Sequence, residues 1–292
     1  MSTVAIPAPG SEARTARRET FGQLLRSTTF VTGAVIVGFW VVCALFGSAI
    51  TPHDPQDQSF TPLLRPGGGH LFGTDALGRD VLSRVLVGAS DILKVAPLAT
   101  LLGIAGGTVV GLVTGYFRGL VDDSVSRIVD AWLALPAVVI AVTALVALGG
   151  STGTLIVVIG VVFTPIVSRT VRAAVLSERQ LEYVQAARLR GERAPYVMFA
   201  EILPNVMGPI VVEATVRLGY AIFTVAGLTF LGFGVQPPSP DWALQISDGY
   251  TLLNDTAHQG NYWIVLFPGA AVASLVVGVN LIADGIARVL QR

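Results

Sequence analysis

Long apolar runs, separated by shorter polar stretches, dominate this chain. Residues 30–50 form the first run, and its 21 residues are enough to cross a hydrocarbon layer roughly 30 Å thick. A second uncharged run covers residues 95–117, and a third covers residues 131–168, which is too long for one crossing. The sequence GGSTG at residues 149–153 is typical of a turn, so we divide the third run into a hairpin of two helices.

Two further apolar runs, residues 209–233 and 264–283, bring the predicted number of membrane spans to six. An even number of spans places both termini on one side, and the distribution of positive charge indicates which side. Most of the 19 lysine and arginine residues lie in the stretches 1–28, 118–130, 169–193 and 285–292. Because cytoplasmic segments carry an excess of these residues, we expect both termini and the loop 181–205 in the cytoplasm.

The predicted fold is therefore an all-α integral membrane protein with six transmembrane helices and cytoplasmic N and C termini. Its predicted parts are a cytoplasmic tail (1–28), a first transmembrane helix (29–50), an extracytoplasmic segment (51–91), a five-helix core that contains the cytoplasmic loop (92–284), and a second cytoplasmic tail (285–292).

Composition supports a membrane protein and excludes several other classes. Hydrophobic residues make up 52% of the chain and charged residues 13%, whereas a soluble domain carries about 25% charged residues. The zero net charge predicts no nucleic-acid partner. Lys94 is the only lysine, which excludes the Gly-Lys-Ser/Thr motif of a P-loop, so we expect no cofactor on this chain. The single Cys43 and three histidines far apart in sequence, His53, His70 and His258, predict no metal site.

Four glycines recur at every fourth residue of the second apolar run and therefore lie along one helix face. They are Gly103, Gly107, Gly111 and Gly115. Small residues at this spacing allow two helix backbones to approach closely in a membrane. Alternatively, the glycines line a pore and leave room for a transported molecule. We favour the packing interpretation.

A polar stretch at residues 181–205 separates the fourth and fifth spans. Its pattern predicts two short helical pieces joined by a turn at Gly191 and followed by a change of direction at Pro204. The segment YVQAARLRG, from Tyr183 to Gly191, is followed nine residues later by EILPN at 201–205 and resembles the EAA loop of ABC-importer permeases. The matching positions are Ala186, Ala187, Gly191, Leu203 and Pro204, while Gln185 stands where the family has glutamate.

Other segments resemble the C-type permease subunit of dipeptide and oligopeptide importers. They are FGTDALGRDVLSRVLVG (72–88), VDAWLALP (129–136), LTFLGFGVQPPSPDW (228–242), NYWIVLFPG (261–269) and NLIADG (280–285). The resemblance implies a type I ABC-importer permease fold in the inner (plasma) membrane, without catalytic residues. It also implies a second, B-type permease, two ATPase subunits that bind ATP and magnesium, an extracytoplasmic substrate-binding protein, a peptide substrate and surrounding lipid. Glu201 and Val225 depart from the family, which commonly has histidine and glutamate there.

In such importers the loop 181–205 would transmit the movement of the ATPases to the membrane helices. The resemblance implies that residues 183–191 dock on an ATPase, with Ala186 and Ala187 buried in its groove and Gly191 setting the bend. Pro204 would connect this element to the fifth span. The alternative is an ordinary linker between two spans.

Two charges interrupt the fifth span. Glu213 and Arg217 are four residues apart on one helix face, and each is costly in lipid unless it is paired or faces an aqueous path. We therefore expect either a structural ion pair or a part of the translocation path.

A charged cluster precedes the second span. It comprises Asp75, Arg79, Asp80 and Arg84. We expect a short interfacial helix, capped by Thr74 or Asp75, with salt bridges Asp75–Arg79 and Asp80–Arg84 on a solvated face. Alternatively, this cluster and Trp242 contact the binding protein or the partner permease.

Some side chains near the predicted span ends suit an interfacial position. Trp242 and Trp263 are expected to anchor the chain at the membrane surface. Arg169 and Arg172 follow a short fourth span and are expected to extend towards the interface.

Three other functions are compatible with parts of this pattern. A nickel or metal-chelate importer shares the permease motifs. A secondary transporter would carry buried acidic or histidine relays in several spans, whereas here only Glu213 and Arg217 are charged within spans. A membrane anchor or sensor would not need the elaborate loop 181–205. The sequence favours a non-catalytic permease subunit of an ATP-driven importer of dipeptides and oligopeptides.

Overall fold

The computed structural model describes residues 22–253 and 260–290, and within them the chain is helical without β-strands. The helices are α1 (Thr28–Ile50), α2 (Val81–Phe117), α3 (Gly119–Leu133), α4 (Ala137–Leu148), α5 (Thr152–Glu178), α6 (Glu182–Leu189), α7 (Met207–Phe230), α8 (Trp242–Tyr250) and α9 (Trp263–Leu290). Two short helical turns, Ala194–Tyr196 and Leu203–Asn205, flank a π-helix at Val197–Ile202.

Five of these helices, α1, α2, α5, α7 and α9, are long and apolar enough to cross a membrane. The pair α3 and α4 meets at an angle of 87°, and counting this pair as one bent span gives six. The predicted all-α membrane fold is therefore confirmed.

Two helices extend beyond the predicted apolar runs. Helix α2, which contains the run 95–117, begins at Val81, because Asp80 caps its N-terminus by accepting a hydrogen bond from the backbone N–H of Ser83. The stretch 118–130, one of the polar stretches between the apolar runs, forms most of α3. The apolar helix that follows, α4, has only 12 residues, about 18 Å of helix, and is too short to span a bilayer alone.

The glycine row of α2 packs against α5. A Cβ atom added at Gly107 would lie 2.4 Å from Cβ of Val167, and one added at Gly103 would lie 2.8 Å from Cβ of Phe163. The row continues in the same register to Val171, opposite Gly111, and Val175, opposite Gly115. The packing interpretation is therefore confirmed, and these contacts, which we call the glycine seam, hold the backbones of α2 and α5 together over about three turns of each helix.

The arginines at the end of α5 pair with acidic residues of α3. Arg169 lies 3.1 Å from Asp130, and Arg172 contacts both carboxylate oxygens of Asp122 at 2.6 and 2.7 Å. The expected extension of these arginines towards the membrane interface stays a prediction. The bidentate pair of Arg172 and Asp122 orients α3 against α5.

The segments 51–80 and 234–253 pack together at one end of the bundle, and we call them the cap. Nε2 of Gln56 donates a hydrogen bond to the carbonyl of Pro238, and the guanidinium of Arg84 donates to the carbonyls of Pro55 and Ser239. At the opposite end, the guanidinium of Arg188 on α6 lies 4.4 Å from the ring centre of Tyr116 at the end of α2. The cap, which includes most of the predicted extracytoplasmic segment 51–91, therefore lies at one end of the bundle, and the loop 181–205 lies at the other.

Asp241 is a buried carboxylate at the start of α8 in the cap. It accepts hydrogen bonds from the backbone N–H groups of Ala243 and Leu244 at 2.8 and 3.1 Å, and it is 1% exposed. Burial raises the pKa of Asp241 from 3.8 to about 6, against the effect of the two N–H donors, and the neighbouring Asp91 adds to the rise.

We predict that Gly107→Ala destabilises the protein by about 1–3 kcal/mol, because the added methyl group overlaps Val167. Gly38→Ala in α1 is the matched control, since a Cβ there meets nothing within 4 Å. Thermal unfolding of both variants in detergent, followed by tryptophan fluorescence, tests this. Equal melting temperatures for the two variants would contradict the role of the seam.

We predict that Asp241→Asn stabilises the protein at pH 8 by about 2 kcal/mol, because asparagine keeps a cap acceptor without the cost of burying a charge. The folded pKa lies above the unfolded value, so the folded state holds a proton more tightly, and stability is lost as the pH rises from about 4 to about 6. Melting temperatures of variant and parent should therefore differ at pH 8 and converge towards pH 4. A difference that is independent of pH would refute this assignment.

Candidate functional site

Helix α6 lies across the end of the α2–α5 pair. Val184 and Ala187, on its inner face, are fully buried. They belong to a hydrophobic cluster that includes Leu112 of α2 and Val171 and Val175 of α5. The last two are residues of the glycine seam, so the inner face of α6 continues the core formed by the two long helices.

The outer face of α6 is exposed. It carries Glu182, Gln185, Ala186 and Leu189, at the spacing expected for one helix face. Leu189 is 90% exposed, so this face presents a large apolar side chain to a partner.

The two alanines of the EAA-like motif therefore have different surroundings. Ala186 is exposed and available to a partner, whereas Ala187 is fully buried against this chain's own helices. The expectation that both alanines enter a groove of the ATPase needs correction for Ala187, because its side chain is already covered. The motif does not reveal this difference, since both positions are alanine.

Gly191 forms the predicted turn. Its φ angle is +81°, a conformation that favours glycine. Its N–H donates to the carbonyl of Arg188 at 3.0 Å, and the N–H of Glu192 donates to the carbonyl of Ala187 at 3.2 Å, which closes the end of α6. Added side-chain atoms at Gly191 would meet no neighbour within 4 Å, so the constraint comes from the backbone alone.

The second helical piece contains a π-helix that the sequence analysis did not predict. The N–H of Leu203 donates to the carbonyl of Met198, five residues earlier. Pro204 has no N–H to donate to Ala200, and its ring would clash with that carbonyl in a regular α-helix, so the turn before it widens. Pro204 is therefore the one residue by which the sequence indicates this π-helix. Leu203 is half-buried and Pro204 is exposed.

A chain of hydrogen bonds joins the two halves of the loop to α5. The hydroxyl of Tyr183 donates to Oε1 of Glu178 at 2.6 Å and accepts from Nδ2 of Asn205 at 3.1 Å. Burial raises the pKa of Tyr183 to about 12, and the hydrogen bond to Glu178 is the second cause of this rise. The phenol therefore keeps its proton at physiological pH and remains a donor to Glu178.

Two arginines hold the loop 181–205 in place, one by bonds to the end of α2 and one by a contact within the loop. Nη1 of Arg179 donates to the carbonyls of Tyr116 and Gly115 at 2.8 and 3.2 Å. Arg190 lies 3.7 Å from the carboxylate of Glu201, the position where the resembling family commonly has histidine. These contacts hold α6 at a defined position on the membrane helices.

Gln185, the position where the family has glutamate, faces outwards from α6. Its Nε2 donates to the carbonyl of Gln180 at 2.9 Å. This contact lies within the loop and leaves the side chain exposed.

Glu213 and Arg217 form an ion pair on α7, with 2.6 Å between Oε1 and Nε. The hydroxyl of Thr170 on α5 donates to the second oxygen of Glu213 at 3.4 Å. The side chains are 12% and 17% exposed, respectively, so the pair is largely covered by the protein. It connects α7 to α5.

The charged cluster before α2 is buried, contrary to the prediction of a solvated interfacial helix. Asp75 binds Arg79 at 2.6 Å as predicted, but Arg84 lies 3.7 Å from Asp75 and forms no bridge with Asp80. Asp80 caps α2 instead, and each of the four residues is at most 8% exposed. These side chains stabilise the cap and leave little surface for the binding protein or a second permease.

Trp242 and Trp263 are also buried rather than placed at the membrane surface, with exposures of 0% and 1%. The indole N–H of Trp242 donates to the carbonyl of Val85 at 2.7 Å, and that of Trp263 donates to the carbonyl of Thr74 at 3.2 Å. The predictions of interfacial anchoring and of partner contact by Trp242 are therefore wrong. Trp242 fastens the cap to the N-terminal part of α2, and Trp263 fastens the cap to the start of α9.

Two histidines that are far apart in sequence lie side by side in the cap. The ring centres of His53 and His70 are 4.8 Å apart, and both rings lie beside Asp80. The histidines are far apart along the chain, which is why the sequence predicts no metal site, but the fold brings His53 and His70 together. His258, the third histidine, lies outside the described residues.

Comparison with known proteins identifies the family. The family model of the binding-protein-dependent transport system inner membrane component matches residues 107–292, and the N-terminal TM domain of oligopeptide transport permease C matches residues 15–66. The chain is 36% identical to the dipeptide transport system permease protein DppC of Alkalihalophilus pseudofirmus over 270 residues, which cover 92% of this chain and 87% of that protein.

Two other relatives are similar over most of their length. The di/tripeptide transport system permease protein DppC of Pseudomonas aeruginosa is 36% identical, with 84% of this chain and 82% of that protein covered. The glutathione transport system permease protein GsiD of Pectobacterium atrosepticum is 31% identical, with 94% and 90% covered. Together with the membrane-spanning helices, these matches show that the chain belongs to the family of inner membrane components of binding-protein-dependent transport systems.

Proposed function

We propose that this chain is a permease subunit of an ATP-driven ABC importer that carries dipeptides and oligopeptides across the inner membrane. The observation that carries the proposal is that α6 is buried on one face and exposed on the other. Its inner face is part of the core of α2 and α5, and its outer face exposes Ala186 and Leu189. A partner that binds the outer face can move the long helices without catalytic residues on this chain. The names of the relatives support peptides as the cargo.

The partner on the outer face of α6 is an ATPase subunit that binds ATP and magnesium. This assignment requires α6 to lie in the cytoplasm, which agrees with the excess of arginine in residues 169–193. Closure of two ATPases around ATP would pull on α6 and shift the equilibrium between inward-open and outward-open states. Such a shift needs stiff contacts, and the bonds of Arg179 and Tyr183 provide them.

The second permease and the translocation path are assigned to an apolar groove between α7 and α9. This groove has a volume of about 510 Å³ and is lined by Phe223 and Phe230 of α7 and Val276 of α9. Phe223 is 69% exposed, and Tyr220, three residues earlier, is 57% exposed. A largely apolar path suits peptides with varied side chains. An extracytoplasmic binding protein would deliver them at the cap end.

Glu213 and Arg217 fit a structural pair better than a proton relay. They neutralise each other at 2.6 Å, and Asp122 is likewise paired with Arg172. A secondary transporter driven by an ion gradient would need acidic groups that change their partners during transport. We therefore assign Glu213 and Arg217 to the connection between α7 and α5.

We predict that Leu189→Asp abolishes co-purification of the ATPase subunits, because it places a charge on the apolar contact of α6. Leu71→Asp is the matched control, since Leu71 is 66% exposed at the opposite end of the bundle. Affinity purification of the permease from membranes, with the ATPases quantified on gels, measures this. Retention of the ATPases by Leu189→Asp at the parent level would contradict docking on α6.

We predict that proteoliposomes containing the complete importer accumulate a radiolabelled dipeptide only with ATP inside and binding protein outside. Nickel ions, alone or chelated, should not accumulate under the same conditions. Dipeptide uptake driven by a proton gradient without ATP would refute an ABC importer. Accumulation of nickel in place of dipeptide would refute the assigned cargo but not the coupling through α6.

A further inference from the structure

The residues His53, His70 and Asp80 form a compact group of potential metal ligands in the cap. One nitrogen of each ring and one carboxylate oxygen all lie within 4.8 Å of one another. Nδ1 of His70 is 2.9 Å from Oδ1 of Asp80, and Nδ1 of His53 is 3.8 Å from the same oxygen. With metal–ligand bonds of about 2.0–2.2 Å, two ligand atoms of one ion are at most about 4.4 Å apart. A small rotation of one imidazole ring therefore brings all three atoms to one ion.

One of the three potential ligand atoms has no hydrogen-bond partner. Nδ1 of His53 is buried and has no hydrogen-bond partner, although buried polar atoms usually have one. His70 is already in contact with Asp80, so His53 is not needed to satisfy that carboxylate. Coordination of a cation would give Nδ1 of His53 a partner and would replace the contact between His70 and Asp80, with the ring proton of His70 on Nε2.

The surroundings hold the three ligands in place. The second oxygen of Asp80 accepts hydrogen bonds from the N–H and the hydroxyl of Ser83 at 2.8 and 2.7 Å. The same hydroxyl accepts a hydrogen bond from the backbone N–H of His53 at 3.2 Å. The ring of Phe60 packs edge-on against both imidazoles, with ring centres 5.0 Å from His53 and 4.5 Å from His70. Such second contacts orient metal ligands and reduce the cost of ordering them.

We propose that His53, His70 and Asp80 bind a divalent transition-metal ion of the zinc class. Two imidazoles and one carboxylate match the ligand preference of zinc, whereas magnesium and calcium prefer oxygen ligands alone. The side chain of His53 is 28% exposed, so water or another ligand can complete the coordination. The ion joins the chain directly after α1, the middle of the segment 51–80 and the N-terminus of α2. It serves as a structural clasp of the cap and is not the transported cargo.

The test uses the full-length permease, purified with an affinity tag that contains no histidine and stripped of metal with a chelator. Calorimetric titration with Zn²⁺ should give about one bound ion per chain. Bound zinc should raise the melting temperature of the permease, and excess Mg²⁺ or Ca²⁺ should not displace it. His53→Gln should weaken zinc binding more than about tenfold and abolish the thermal shift. His258→Gln, which changes the remaining histidine, should retain both.

Zinc binding of His53→Gln at the parent affinity overturns the proposal, and so does equal loss in His258→Gln. If His53→Gln does not fold, the unchanged protein still decides the question through Co²⁺. Visible d–d bands characteristic of nitrogen and oxygen ligation in a site of low symmetry, abolished by one equivalent of Zn²⁺, support the site. The absence of such bands refutes it.

Discussion

The close contact between α2 and α5 is the interaction on which the other parts of this structure depend. Without side chains at Gly103, Gly107, Gly111 and Gly115, the backbone of α2 approaches the Cβ atoms of α5 to a distance that no larger residue permits. In a membrane the hydrophobic effect does not drive two apolar helices together, so dense packing of this kind has to supply the association. The seam extends over about three turns of each helix and makes the pair a single stiff unit.

Both ends of this unit carry a structure that depends on it. At one end, Val171 and Val175 lie opposite glycines of the seam and belong to the same hydrophobic cluster as the inner face of α6. At the other end, the N-terminal part of α2 holds the cap through Asp80 and through Trp242, which is bonded to Val85. A displacement of α6 therefore has a direct mechanical route along α2 and α5. This route is the physical basis of the proposed coupling to an ATPase.

The spans, the glycine seam and the turn at Gly191 could be predicted from the sequence, because apolar run length, a four-residue repeat and glycine conformation are local properties. The errors concern contacts between distant parts of the chain. Trp242 and Val85 are 157 residues apart, so nothing local distinguishes a buried Trp242 from an interfacial one. Likewise, Ala186 and Ala187 differ only in which side of α6 faces the core, and the pairing of His53 with His70 depends on the folded cap. Helix α3 could not be predicted from the polar pattern of 118–130, because its acidic residues pair with arginines of α5 that are distant in sequence.

The central claim is that α6 moves with the α2–α5 pair as one body. It is tested most directly by electron spin resonance distances between labels at Leu181, the N-cap residue of α6, and Val161 on α5, both of which are exposed, in a Cys43→Ala background. Leu181 lies outside the outer face assigned to the ATPase. A label on an ATPase subunit reports that the ATP cycle has occurred. We predict that the distance between Leu181 and Val161 stays the same in the nucleotide-free and ATP-bound importer while the ATPase label moves. A change in the Leu181–Val161 distance on ATP binding would contradict this.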